Sequence, residues 1–149
     1  MGGRRVPAGR RRRSVLAVVI GLLLGLLLAA CGGDEVDATI AIVDKVIEEW
    51  NAQNEEFVAS AYTEDAEWSN RNGTSRSGAD AINEYTLQFM FPPERHIITR
   101  VGDGIATDDG SVIVNIDYDI NGKTVEVVWE VRTRGDRVSF LRETARTAG

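Results

Sequence analysis

The groups from which this chain could build chemistry are few and unevenly spread. Cys31 is the only cysteine and His96 the only histidine among 149 residues. Three acids, Glu64, Asp65 and Glu67, crowd between Tyr62 and Trp68, with the amides of Asn70 and Asn72 just beyond. Carboxylates beside aromatic rings are the raw material of general acid–base catalysis, because an apolar setting can shift one acid into its working range. Asp117-Tyr118-Asp119-Ile120-Asn121-Gly122 matches the first six positions of a calcium loop. Its twelfth position, where a bidentate glutamate belongs, is Val128. That stretch therefore reads as a hairpin with an acidic outer face, and the sequence names no metal ligand set. A lone histidine at the start of a strand, beside Ile97 and Ile98, reads as a rim residue before a base. Asn72-Gly73-Thr74 is formally a glycosylation sequon but reads as a turn.

Ile40, Val43, Ile47 and Trp50 recur at helical spacing, which predicts a helix over 36–54. A second, shorter helix follows over 55–62, with Phe57, Val58 and Ala61 available to a core. A short strand around Ala66 and Trp68 and turns at Asn72-Gly73 and Ser77-Gly78 come next. Asp80 to Phe89 is the third helix, carrying Ile82, Tyr85 and Phe89 on one side and stopped by Pro92-Pro93. Strands are expected over 95–101, 111–120, 123–134 and 137–146. Asn121-Gly122 is a strong hairpin signal, since a type I′ turn needs positive φ at both central residues. Counting outward from it pairs Tyr118 with Val125, Ile116 with Val127, Val114 with Trp129 and Val112 with Val131 on one apolar face. Asp117 then opposes Glu126 on the other face, an unfavourable like-charge pair that Arg132 or Lys123 could relieve. On this reading Glu67, Glu130 and Glu143 point away from the apolar face.

The N-terminus supplies a further signal. Arg4, Arg5 and Arg10 to Arg13 precede an apolar run, Val15 to Ala30, which is short of the roughly 20 residues that span a bilayer. This is the plan of an export signal. Leu28-Ala29-Ala30-Cys31 resembles a bacterial lipobox, in which the cysteine is acylated and becomes the new N-terminus. Residues 1–30 are thus expected as signal peptide and 31–37 as a lipidated tether, holding the protein by Cys31 to the extracytoplasmic face of the cell membrane. Arg12-Arg13 also loosely matches a twin-arginine signal, so the export route stays open. Removing 1–30 takes six arginines and no acid, leaving 11 Lys and Arg against 23 Asp and Glu, a formal net charge of −12. So acidic a domain repels phosphates, and nucleic acid is excluded as a partner.

Tyr62-Thr63-Glu64-Asp65-Ala66-Glu67-Trp68 followed by Ser77-Gly78-Ala79-Asp80-Ala81-Ile82-Asn83-Glu84-Tyr85 resembles the nuclear transport factor 2-like superfamily, in its SnoaL-like and ketosteroid isomerase-like branches. The resemblance covers a domain over 38–147. It implies an α+β fold, a curved antiparallel sheet wrapped as a cone around three N-terminal helices, with a pocket inside. It also implies where an isomerase would keep its catalytic groups. The base falls at Asn70, which cannot accept a proton at neutral pH. The donor tyrosine of the first helix falls at Val46, and the acidic donor of the sheet falls near Trp129. Tyr62 matches a supporting tyrosine, but the principal groups are gone.

These readings converge on a lipoprotein whose domain binds a small hydrophobic ligand or an envelope protein without catalysis and without a cofactor. Val46, Trp50, Tyr62, Trp68, Asn70, Tyr85, Phe89, His96, Tyr118 and Trp129 are the pocket candidates, and no catalytic residue is assigned. The alternative is a SnoaL-like enzyme acting on a hydrophobic cyclic substrate, which needs an acid or His96 pointing into a real cavity. The charged outer sheet face favours a monomer or a weak dimer.

Overall fold

A computed structural model of the chain describes residues 33–89 and 96–146. The expected signal peptide, Cys31, Pro92-Pro93 and the side chain of Phe89 lie outside the described residues. Glu35–Gly149 forms one compact unit. Helical residues run from 33 to 51 (α1), so 33–37, expected as tether, are helical and largely exposed. The remaining elements are α2 (Glu55–Ser60), β1 (Tyr62–Ser69), β2 (Ser75–Ser77), α3 (Ala79–Phe89), β3 (His96–Ala106), β4 (Val112–Ile120), β5 (Lys123–Arg134) and β6 (Arg137–Ala145).

The six strands form one sheet in the order β2-β1-β6-β5-β4-β3. Four of its contacts are antiparallel, but β1 runs parallel to β6, so the sheet is mixed where an antiparallel one was expected. Its parallel contact arises because α2 stops at Ser60 and Tyr62 already pairs with Val138. The second helix is therefore shorter than its apolar pattern suggests, and the expected short strand runs over Tyr62–Ser69. β2 emerges where only turns were expected. β3 extends through part of the turn-rich segment as far as Ala106.

Burial explains the packing. Val43, Val46, Ile47 and Trp50 of α1 join Val112, Val114, Ile116, Val127, Trp129 and Val131 of the sheet in one core cluster. The β4–β5 pairing matches the count from the turn at every position, and Asn121 and Gly122 have φ of 54° and 77°. The like-charged Asp117 and Glu126 are relieved by neither Arg132 nor Lys123. Arg146, at the far end of β6, reaches both carboxylates at 3.0 and 2.7 Å.

Two irregularities bend the sheet around α1. Between Val101 and Ile105 the β3–β4 register slips. Gly104 lies there so close to α1 that a Cβ would stand 2.7 Å from Ile40 Cδ1 and 2.9 Å from Val112 Cγ1. Between β5 and β6, Arg134 pairs with Arg137 and Thr133 with Val138, but Arg132 pairs with Phe140. Ser139 is thus the extra residue of a β-bulge, and its hydroxyl donates to Arg132 O at 3.2 Å.

Candidate functional site

The bulge decides which side chains of β6 enter the cone. A two-residue turn at 135–136 counted without it would set Arg142 opposite Trp129 and turn Glu143 outward. One inserted residue reverses every later side chain. Leu141 accordingly lies opposite Val131 and is buried, and Glu143 lies opposite Trp129 on the inner face. The expectation that Glu143 points away is therefore overturned, whereas Glu130 and Glu67 do sit away from the core.

Glu143 lines a cavity of about 200 Å³. Its Oε2 accepts a hydrogen bond from the Tyr118 hydroxyl at 2.6 Å and another from Trp129 Nε1 at 3.2 Å. The same indole N–H also lies 3.2 Å from the Tyr118 oxygen. Tyr118 and Trp129 meet edge to face with centroids 6.3 Å apart. Burial, and then the neighbouring Glu143 carboxylate, push the Tyr118 phenol well above its ordinary pKa. It stays a neutral donor.

The opposite wall is built from β1, the turn after it and α3. Trp68 and Tyr85 pack with centroids 5.0 Å apart, and the Arg76 guanidinium covers the Tyr85 ring at 4.8 Å. Asn70 Oδ1 accepts from the backbone N–H groups of Asn72 and Thr74, both at 3.0 Å, and its Nδ2 donates to the Tyr85 hydroxyl at 3.2 Å. The amide is thus committed to shaping the turn and fixing a pocket ring. Trp50, one α1 turn beyond Val46, and His96, the first residue of β3, complete the enclosure with Ile120 and Val125.

Of the residues picked from the sequence, Trp50, Trp68, Asn70, Tyr85, His96, Tyr118 and Trp129 come together here. Val46 does not. It is buried one helical turn back, beside Phe57 and Ala61, and contributes to a separate apolar recess of about 280 Å³. Tyr62 does not line the cavity either. Its ring is enclosed in the core at 2% exposure, and its hydroxyl finds no hydrogen-bond partner among the described residues. Burial raises its pKa far above the usual phenol range. Arg71, Asn72, Ile120, Val125 and Glu143 line the cavity and were not foreseen. Ile120 and Val125 could have been found from the hairpin count, but Glu143 depended on the bulge.

The acids of the calcium-loop pattern have other partners. Asp119 Oδ1 accepts from Gly122 N at 2.7 Å, and Asp117 is paired with Arg146. Among the described residues no three or more potential ligands gather around one point.

Comparison with known proteins places these features in a wider group. A family model described as a SnoaL-like domain matches residues 43–146. No curated protein matches the chain. Among solved structures, a Kribbella flavida protein with a provisional ketosteroid isomerase assignment superposes with a TM-score of 0.64 at 16% identity, over 77% of this chain and 82% of that one. An LEH-like epoxide hydrolase of M. tuberculosis gives 0.60 at 16% identity, over 75% and 85%. A Catenulispora acidiphila protein with a ketosteroid isomerase-like fold, solved in complex with trimethylamine, gives 0.58 at 18% identity, over 68% and 82%. Identities this low establish likeness of fold alone.

Proposed function

Since the chain belongs to the SnoaL-like domain family, we propose that it is a lipid-anchored extracytoplasmic protein whose cone binds a small molecule without transforming it. The observation that carries the binding half is the cavity itself. A core filled to native density leaves few voids larger than a water molecule, yet here about 200 Å³ stays open between three tryptophans, two tyrosines and a carboxylate. Aromatic walls with a few convergent polar groups are the usual make-up of a small-ligand site. An open cone also argues for a small ligand over an envelope protein, which would use an outer surface. The trimethylamine complex of the Catenulispora protein supports small-molecule binding by this fold. Asn70 argues against an isomerase reaction, because its amide is held in the turn and offers no proton acceptor.

The anchoring half rests on Leu28-Ala29-Ala30-Cys31 behind a basic and then apolar N-terminus. A second reading, a SnoaL-like enzyme acting on a hydrophobic cyclic substrate, draws on Glu143 and His96 lining one cavity. Denaturing the detergent-purified chain and identifying released small molecules by mass spectrometry tests the binding reading. The expected result is an unaltered compound near one per chain. An empty cone, with tryptophan emission unmoved by a panel of compact apolar, cationic and anionic compounds, overturns it. Turnover of any such compound moves the conclusion to the enzyme.

A further inference from the structure

We propose that the cone selects a small organic ammonium cation, its positive nitrogen set against the Glu143 carboxylate and its alkyl groups against Trp50, Trp68, Tyr85 and Trp129. This rests on the small-molecule reading and names the chemical class of the ligand.

The charge argument starts from how the sheet treats its other acids. Glu64, Glu67, Asp103 and Asp119 are exposed to water, and of the rest Glu130 is paired with Arg142, Asp65 with Arg134, and Asp117 and Glu126 share Arg146. Among the described residues Glu143 is the one acid lining the cavity, and no basic side chain lies within ion-pair distance of it. Its Oε2 is held by two neutral donors, Tyr118 and Trp129, and its Oε1 accepts no hydrogen bond from the described residues. Among the described residues this half-buried carboxylate has only neutral partners and lacks the counter-charge that compensates desolvation. A cation entering the cavity supplies it.

The walls suit the rest of such a ligand. Aromatic faces are negative, and cages of Trp and Tyr are the usual receptors of alkylated ammonium groups, which shed water easily and present polarised methyl groups to the rings. Tyr85 already holds the Arg76 guanidinium at 4.8 Å, so a ring of this site accepts a cation in this fold. Size agrees. An apolar cavity of about 150 Å³ holds one benzene, and about 200 Å³ accommodates a group as compact as tetramethylammonium. Among the described lining residues Arg71 is the one arginine and is exposed, whereas Glu143 is half-buried.

The full lipidated chain in non-ionic detergent is titrated with tetramethylammonium chloride, with tert-butanol as a neutral group of similar shape, and with pivalate as an anion. Ionic strength is held fixed, and tryptophan emission and calorimetry are read together. Tetramethylammonium is expected to bind at least tenfold more tightly than tert-butanol, with pivalate not bound. Glu143→Gln, which keeps an acceptor for Tyr118 and Trp129, is expected to remove that preference, so that tetramethylammonium binds no more tightly than tert-butanol. Should that variant fail to fold, the ranking of the three probes on the unaltered chain decides alone. Equal binding of tert-butanol, or a preference for pivalate, overturns the ammonium class and leaves the small-molecule reading standing. Binding of none of the three overturns it also, and an empty cone in the mass-spectrometric experiment would then remove the reading beneath it.

Discussion

At the scale of single residues, Tyr62 and Tyr118 show how burial separates two similar side chains. Both phenols are pushed above their ordinary range, Tyr62 by burial and Tyr118 by burial and then by Glu143. Only Tyr118 has partners, donating to Glu143 at 2.6 Å, whereas Tyr62 buries a hydroxyl with none among the described residues. Tyr118→Phe should therefore cost about 1–2 kcal/mol at pH 7, and Tyr62→Phe should be neutral or stabilising by up to about 1 kcal/mol. Linkage gives a second signature. Below about pH 10 the phenols are protonated in both folded and unfolded chains. Above it the unfolded phenols ionise while the two buried ones stay neutral, so the unfolded chain binds fewer protons and stability falls with rising pH. Each raised group contributes up to about 1.4 kcal/mol per pH unit over that window, lost as pH climbs towards the folded-state pKa. Denaturant midpoints at pH 7 and pH 11 check this: Tyr62→Phe should lose less on going to pH 11 than the unaltered chain. An equal cost for both substitutions at pH 7 would contradict the unpartnered hydroxyl.

At the scale of elements, the β5–β6 bulge separates what was legible in the sequence from what was not. The β4–β5 register could be counted because Asn121-Gly122 announces its own turn type, and the pairing it implies holds throughout. Ser139 carries no such mark. Nothing in Arg137-Val138-Ser139-Phe140-Leu141 shows that one residue is extra, so Glu143, two positions further, could not be set on the inner face beforehand. The parallel β1–β6 contact escaped for a related reason: Ala61 and Tyr62 have apolar faces that serve a helix or a strand equally well until a partner strand decides. Residues on long periodic elements, such as Trp50, Tyr85 and Trp129, are by contrast legible, because helical and strand periodicity sets their faces, and all three line the cavity. Deleting Ser139 tests the bulge directly. It should turn Leu141 and Glu143 outward. The lost burial of Leu141, 3% exposed, costs about 2–3 kcal/mol by itself, and the melting temperature should drop by roughly 10 °C or more. Ser139→Thr keeps both the residue count and a hydroxyl, and should fall by less than about 3 °C. A deletion variant as stable as the unaltered chain would mean that the strand end carries no register of its own.

At the scale of the whole molecule, the charge of the chain bears on the anchoring we propose. On the anchoring we propose, removal of residues 1–30 would leave a net charge of −12, which a negatively charged lipid surface repels, so the hold on a membrane would have to come from acyl chains. Each buried methylene adds about 0.8 kcal/mol, and one chain alone binds only marginally, whereas several together persist. Two expectations separate lipidation from surface attraction. The full chain should take up radiolabelled palmitate and appear by mass without residues 1–30, whereas Cys31→Ser should take up none and retain them. A version starting at residue 32 should remain soluble with vesicles of phosphatidylglycerol at low salt, where electrostatic attraction would be strongest. Label on Cys31→Ser would place the acyl group elsewhere. Sedimentation of the shortened chain with those vesicles would show an affinity that its net charge opposes, and would locate the membrane contact in the domain instead of at Cys31.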